Sequence, residues 1–161
     1  MAVDMFLKLG DIKGESAADG HKDEIDILAW SWGMSQSGTT HMGSGGGAGK
    51  VNVNDLSITK YVDTATPNLI ISCCSGKHYD EATLSVRKAG GKALEYLKIA
   101  MKEVLVTSVS TGGSGGEDRL TENIALNFGE FKVTYQAQDE KGAAKGGPID
   151  KTWKIAANVE G

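Results

Sequence analysis

The chain has 161 residues and a formal net charge of −4. Hydrophobic residues make up 40% and charged residues 24%, a balance that excludes a disordered chain and a membrane protein and suits one domain over residues 1–161. The longest positive cluster is Arg87-Lys88, so the charge pattern also excludes a stripe that follows nucleic-acid phosphates. The 22 glycines are about twice the usual share and, with only two prolines, indicate the many tight turns of an all-β domain.

Few features indicate a cellular compartment. Cys73 and Cys74 are adjacent and too few to staple a secreted fold, and we interpret them as two small apolar residues of a helix. Residues 1–9 lack a basic region followed by an uninterrupted apolar run, so we expect no cleaved leader. No apolar run approaches the roughly 20 residues that a membrane helix needs. We expect a protein that folds in the cytoplasm and leaves the cell, if it does, by another route.

Alternating hydrophobicity predicts two strands at the start of the chain. The first covers residues 5–9, and a polar loop over residues 10–24 follows it. The second runs over about residues 25–35, where the apolar residues change phase once, so we predict a bulge or a strand that is buried on both faces. Its two tryptophans, Trp30 and Trp32, share one face, which we assign to the core, and the serine between them points the other way.

A long glycine-rich segment follows. Residues 37–50 hold six glycines and almost no bulky side chains, so we predict a long loop rather than a core element. Loops beyond roughly 12–15 residues within a compact domain are usually functional or disordered. Alternation resumes with two valines between asparagines at residues 51–54 and continues from Leu56 to Val62. This pattern predicts an extended arm that leads into a strand.

One short helix is predicted after this strand. Asp63 or Thr64 can cap its start, Pro67 fits its first turn, and Gly76 supplies a left-handed stop. We expect its apolar face to consist of Leu69, Ile70, Cys73 and Cys74. Because the helix is short, packing against a sheet has to stabilise it.

The remainder of the chain alternates as strands. These are predicted, in chain order, at residues 82–87, as one long stretch or two over 94–110, at 120–135 and at 153–159. The alternation slips at Gly129, which predicts a bulge that bends the strand. Glycine-rich loops fall at residues 112–116 and 138–148. Eight to ten strands with one helix indicate a mainly β fold, a compact antiparallel barrel or sandwich, since a parallel sheet would need a helix between successive strands.

The segment Gly-Gly-Gly-Ala-Gly-Lys at residues 45–50 matches a phosphate-binding loop only in part. That motif needs a glycine where Ser44 lies and a hydroxyl group where Val51 lies, and it needs a helix where the sequence is strand-like. We therefore interpret the segment as a flexible interface loop.

Residues that could carry catalysis or bind a metal are dispersed. His21, His41 and His78 are far apart in polar or loop-like surroundings, without the spacing of a transition-metal site. Glu117-Asp118 and Asp139-Glu140 lie beside glycine loops, where solvated charges are expected. We predict no catalytic residues, no cofactor and no metal, and hence a protein that is not an enzyme.

Several short segments, taken in order, resemble one known family. They are Gly10-Asp11, Gly14 to Ser16, Ile25-Asp26, Leu28 to Gly33, Gly49 to Val51, Asp55 to Ser57, Thr66-Pro67 with Leu69, Lys88 to Gly91, Glu122 to Phe128, and Tyr135. In this order they resemble the haemolysin-coregulated proteins, Hcp, the tube subunit of bacterial type VI secretion systems. The segments span almost the whole chain, and although each is weak alone, the set is specific.

The resemblance implies a β-barrel with one flanking helix that assembles into a homohexameric ring with an open channel. It further implies that rings stack into a tube inside a contractile sheath, with a trimeric spike protein at the tip. Contraction then expels the tube, and some rings carry small effector proteins in the lumen. Neither nucleic acid nor membrane insertion is expected.

On this basis we assign candidate roles to particular residues. Ser31, Ser57 and Thr59 are expected to line the channel and contact effectors, because a channel that lets cargo pass should be polar. The glycine loops at 43–49, 112–116 and 142–147 are candidates for ring contacts or stacking, through Gly45, Gly46, Gly47, Lys50, Gly113 and Gly115. The apolar stretch 97–109, with few exposed charges, is expected to supply the lateral contact between subunits.

Two alternatives remain at this stage. A monomeric β-barrel that binds a peptide or a sugar would account for the polar loops equally well, but it needs a pocket within one subunit. A hydrolase that uses dispersed carboxylates would need a site motif, and the sequence carries none. The structural tube subunit is the leading interpretation.

Overall fold

The computed structural model of the chain describes residues 3–38, 49–88 and 93–161. In these residues the elements are β1 Val3–Leu9, β2 Ile25–Asp26, β3 Ala29–Ser31, β4 Met34–Ser35, β5 Asn52–Val53, β6 Leu56–Tyr61, α1 Thr66–Ser75, β7 His78–Lys88, β8 Glu95–Thr111, β9 Thr121–Asn127, β10 Glu130–Tyr135, β11 Ile149–Lys154 and β12 Val159–Glu160. The mainly antiparallel β fold with one short helix is therefore confirmed. No helix of the described residues is both long and apolar enough to cross a membrane.

Antiparallel pairing closes the main sheet on itself. The strands run β8–β7–β1–β2 on one side and β8–β9–β6–β3 on the other. Between β2 and β3 the chain changes partner, since the Ile27 amide donates to the Met5 carbonyl (3.0 Å) and the Leu28 amide donates to the Thr59 carbonyl (2.9 Å). The single strand predicted over 25–35 is thus three short strands, because the chain leaves one side of the barrel for the other where the apolar phase changes.

The strand β8 is the longest in the barrel and is bent at two places. Glu103 has a φ of 57°, and the register with β9 shifts between Val106 and Ser108. Each irregularity resets the alternation, so that apolar side chains continue to face the core along the strand. The buried ones are Ile99, Met101, Val104 and Val106.

The first part of the stretch 97–109 offers no free lateral edge, whereas residues 106–109 pair only with β9 among the described residues. Between Leu97 and Lys102 the strand is paired on both edges, with β7 on one side and β10 on the other. Ile99, Met101, Val104 and Val106 are buried within the subunit, and Leu97, Leu105 and Val109 are half-buried. A strand that is paired on both edges and packed on its apolar face has the same apolar pattern in sequence as an interface strand. Hydrophobicity alone therefore does not distinguish the core from a lateral contact here.

The strands β10, β11 and β12, which we call the wing, extend from the first half of β8. The slip predicted at Gly129 falls where β9 ends and β10 begins, and the Gly129 amide donates to the Lys102 carbonyl (3.0 Å). A Cβ atom at this position would lie against the end of the flexible Glu103 side chain, which would have to move. The last strand, predicted at 153–159, is interrupted by a turn after Lys154, so that prediction is wrong in its bounds.

The helix α1 ends as predicted, with Gly76 in the left-handed conformation at a φ of 68°. Its buried residues are Thr66, Leu69 and Ser72, whereas Cys74 is exposed, so the predicted apolar face is partly wrong. Ser72 lies on the inner side because its hydroxyl group bonds the buried Tyr79 hydroxyl (2.6 Å). Hydrogen bonding, rather than hydrophobicity alone, sets the rotation of the helix.

A charged cluster lies inside the barrel at the start of the helix. The Lys60 ammonium group lies 2.6 Å from a Glu122 carboxylate oxygen and 2.9 Å from an Asp63 carboxylate oxygen. Lys60 and Glu122 are each 1% exposed. The Thr66 hydroxyl donates to the same Glu122 carboxylate (2.7 Å), which joins β6, β9 and the first turn of α1.

We expect Lys60→Met to lower the free energy of unfolding by about 3–5 kcal/mol, because it leaves two buried carboxylates without their cation. The matched control is Lys132→Met, which removes a lysine whose exposed ion pair with Asp150 measures 3.4 Å. That change should cost less than about 1 kcal/mol. Urea unfolding at one fixed protein concentration measures both variants, and equal losses would contradict the role of the cluster.

Candidate functional site

Ser31, Ser57 and Thr59 lie on one face of neighbouring strands. Alternate residues of β6 point into the core, so Ser57 and Thr59 point outward. Ser31 of β3 lies directly opposite Ser57 and therefore shares its side of the sheet. Across the other edge of β6, Ser57 faces Ala125 and Thr59 faces Asn123 of β9. The structure thus brings the three predicted residues together, and their proposed contact with cargo remains a prediction.

We call this surface the polar face. Its described members are Ala29, Ser31, Asp55, Ser57, Thr59, Thr107, Asn123, Ala125 and Asn127. All of them are exposed or half-buried, and Asp55 is the only charged member. Small hydroxyl and amide side chains can form hydrogen bonds with a passing surface without a large apolar contact area.

Fixed hydrogen bonds hold the Asp55 end of the polar face. The Thr107 hydroxyl donates to one Asp55 carboxylate oxygen (2.7 Å), and the Asn127 amide donates to the other (2.9 Å). Because a carboxylate only accepts, the Asn127 NH₂ group has to face Asp55 and its amide oxygen is left for other donors. Further along the face, the Thr59 hydroxyl donates to the Asn123 amide oxygen (2.8 Å).

Sequence reasoning missed several members of this face. The alternation that assigns Ile124 to the core also places Asn123 and Asn127 on the opposite side, so that signal was present. Thr107 had no such signal, because the irregularity in β8 next to it changes which residues point outward.

The predicted loop residues lie on separate elements. Gly113 and Gly115 belong to the connection between β8 and β9, where every residue from 111 to 121 is exposed. At one end of the polar face, the Arg119 guanidinium group of this connection lies 3.7 Å from the centre of the Tyr61 ring. The connection therefore presents open surface beside the polar face.

The strands β4 and β5 form a short arm between β3 and β6, with Met34 paired to Val53. Lys50 is exposed next to this arm. The predictions for Gly45, Gly46 and Gly47 fall outside the described residues. The extended arm predicted from the alternating valines is confirmed for its base.

An apolar groove lies between the arm and the wing. It is lined by Met34, Gln36, Val51, Val53, Phe131 and Trp153. The Trp32 ring meets the Phe131 ring edge to face, with 4.8 Å between ring centres. The wing also exposes Tyr135 (49%) and Ile149 (65%), so part of the subunit's exposed apolar surface lies here.

The histidines differ in their surroundings. His21 is buried within its loop and contacts two carboxylates, whereas His78 is exposed and His41 falls outside the described residues. Both acidic pairs lie in exposed loops, and one Asp139 carboxylate oxygen accepts bonds from two amides of its own loop. The described residues contain no group of three histidine, cysteine or acidic side chains that could hold a metal ion.

Comparisons with known proteins cover the whole fold. Residues 6–135 match the family model described as "Type VI secretion system effector, Hcp". Protein hcp1 of Pseudomonas aeruginosa is 65% identical over 161 residues, an alignment that covers 99% of both chains. The crystal structure of Hcp1 from Salmonella typhimurium is 42% identical, with 99% of both chains covered and a TM-score of 0.83. A structure titled as a type six secretion system protein is 30% identical, covers 99% of this chain and 100% of its own, and has a TM-score of 0.93.

These matches confirm the resemblance found in the sequence. They favour the secretion tube protein over a monomeric module that binds a peptide or a sugar.

Proposed function

The chain belongs to the Hcp family of type VI secretion proteins, and we propose that it acts there as a structural subunit, without catalysis, in six-membered rings. The whole chain, residues 1–161, forms one such subunit. Rings assemble in the cytoplasm and stack into a tube inside a contractile sheath, with a trimeric spike protein at the tip. Expulsion of the tube then carries small effector proteins out in its lumen.

The observation that carries this proposal is that one side of the barrel has four strands whose two outer edges have no strand partner among the described residues. These strands are β3, β6, β9 and the second half of β8. Within the described residues, Ala29–Ser31 pairs only with β6, and residues 106–111 pair only with β9. A ring contact joins two different patches of neighbouring copies, and these two edges are such patches.

The direction of the strands supports the same arrangement. The four strands alternate in direction, so the β3 edge of one copy runs antiparallel to the β8 edge of a neighbour in the same orientation. Rotation about a ring axis can therefore join the β3 edge of each copy to the β8 edge of the next by antiparallel pairing. In this arrangement the polar face of every copy lies on one continuous wall, which we assign to the channel.

We expect a native mass of about 101 kDa, six times the 16.9 kDa of one chain, by light scattering after size exclusion. The protein should be measured at tens of micromolar, so that a ring with a lower dissociation constant stays assembled. A mass of one subunit at that concentration would contradict the ring.

Ser31→Gln should reduce the effector protein retained per ring by about tenfold, because six copies repeat the same obstacle around one channel. The matched control is Ser75→Gln, at the exposed end of α1. Quantitative mass spectrometry of purified rings measures the retained protein, and native mass shows that both variants still assemble. Unchanged retention in intact rings would remove Ser31 from the channel contact.

Deletion of Gly115 and Gly116 should impair stacking while it leaves the ring and its unfolding midpoint unchanged. The reason is that the connection from 111 to 121 is exposed throughout and contributes little to the core. Electron microscopy counts stacked rings, and urea unfolding measures stability. A parallel loss of stability would show that the connection belongs to the fold instead.

A further inference from the structure

A buried histidine on the outward side of the sheet has no part in the proposed function. Phe6 points away from the core residues Leu7 and Leu9, yet it is only 3% exposed. His21, which is 6% exposed, covers it with a parallel ring at 4.4 Å between centres and 8° between planes. The loop over residues 10–24 is thereby held against the outside of β1.

Both ring nitrogens of His21 contact carboxylates. Nδ1 lies 2.9 Å from a Glu24 oxygen in the same loop, and Nε2 bonds a Glu95 oxygen at the start of β8. The second Glu95 oxygen lies 2.8 Å from the Lys98 ammonium group. His21 therefore connects the loop to a strand 74 residues further along the chain.

The remaining charged groups around the ring come from β1 and β7. The Arg87 guanidinium group lies 5.0 Å from the centre of the Phe6 ring and donates to the Asp19 carbonyl (2.8 Å) in the loop. Its Nε atom lies 4.0 Å from an Asp4 carboxylate oxygen. The loop thus has a second attachment that does not depend on the histidine.

The two carboxylates determine which form of His21 suits this site. A carboxylate accepts hydrogen bonds and cannot donate them, whereas a neutral imidazole has a single N–H group. Both contacts are hydrogen bonds only when the ring carries both protons. In the neutral ring, a nitrogen lone pair would face a carboxylate oxygen in a buried place, which leaves both groups without a donor.

We propose that His21, Glu24 and Glu95 form a clasp, controlled by protonation of the histidine, that holds the loop 10–24 on the outer face of the barrel. The clasp is closed while the ring carries two protons, and it opens when one proton is lost. This inference does not depend on the ring assembly, because every group in it belongs to one subunit.

The sign of the pH dependence follows from the two kinds of group. Burial alone would raise the pKa of Glu95, but hydrogen bonds from Lys98 and His21 outweigh it and lower that pKa. The Glu95 contribution is therefore present above the carboxyl pKa of the unfolded chain, and it is lost as the pH falls through the lowered value. Because both hydrogen bonds of the ring need its doubly protonated form, the clasp holds only while that form is present.

Hydrogen exchange of the full-length protein between pH 5 and pH 9, corrected for intrinsic rates, tests the clasp. We expect the protection of amides in residues 13–24 to fall by about tenfold as the pH rises, while that of core amides in β7 stays constant. His21→Gln should show weak protection at every pH, and His78→Gln, the exposed control, should behave as wild type. Constant protection of the loop across the range would overturn the proposal.

A second variant tests the carboxylate without removing the histidine. Glu95→Gln supplies both an acceptor oxygen and an NH₂ donor, so either form of the ring finds a hydrogen-bond partner, and the loop should stay protected across the whole pH range. The matched control is Glu81→Gln, an exposed carboxylate on β7, which should leave the opening unchanged. If the loop loses protection at the same pH in both variants as in wild type, Glu95 does not hold the clasp. A native mass measured on the same samples reports separately on the ring.

Discussion

Closure of the sheet by one stretch that pairs with two strands is the constraint on which the rest of the structure depends. Ile27 bonds β1 and Leu28 bonds β6, so neither side of the barrel is left open at that point. Closure gives each strand an inner and an outer side, and β8 has to bend at Glu103 to keep its apolar residues inside. The core and the polar face are therefore two consequences of the same pairing.

Burial of the charged cluster inside the barrel costs desolvation free energy, so its presence indicates a structural role. Alternation along β6 would allow an apolar residue at position 60, and a buried ion pair is often no more stable than a well-packed apolar replacement. Lys60, however, lies between Glu122 of β9 and Asp63, and the same Glu122 accepts a bond from Thr66 at the start of α1. Directional bonds specify where the helix begins, which hydrophobic contact alone does not.

Local periodicity predicted what depends on neighbours in sequence. It found the strand over residues 56–61, the helix stop at Gly76 and the shared outward side of Ser57 and Thr59. It failed where distant pairing decides, as in the division of 25–35, because only the partner strands reveal that the chain crosses the barrel there. His21 was missed for the same reason, since Glu95 is far away along the chain.

The polar face, which we propose to line the channel, differs from an ordinary solvent-facing surface in its distribution of charge. Soluble proteins usually carry roughly a quarter to a third charged residues on their surface, with both signs interspersed. The outward side of the wing follows this rule, with Lys102 beside Glu130 and Lys132 beside Asp150. The polar face of the same barrel has Asp55 as its single charge, and fixed donors occupy both carboxylate oxygens. A surface with one charge and without bulky apolar groups is poorly suited to stable docking, which supports its proposed role as a wall that cargo has to leave.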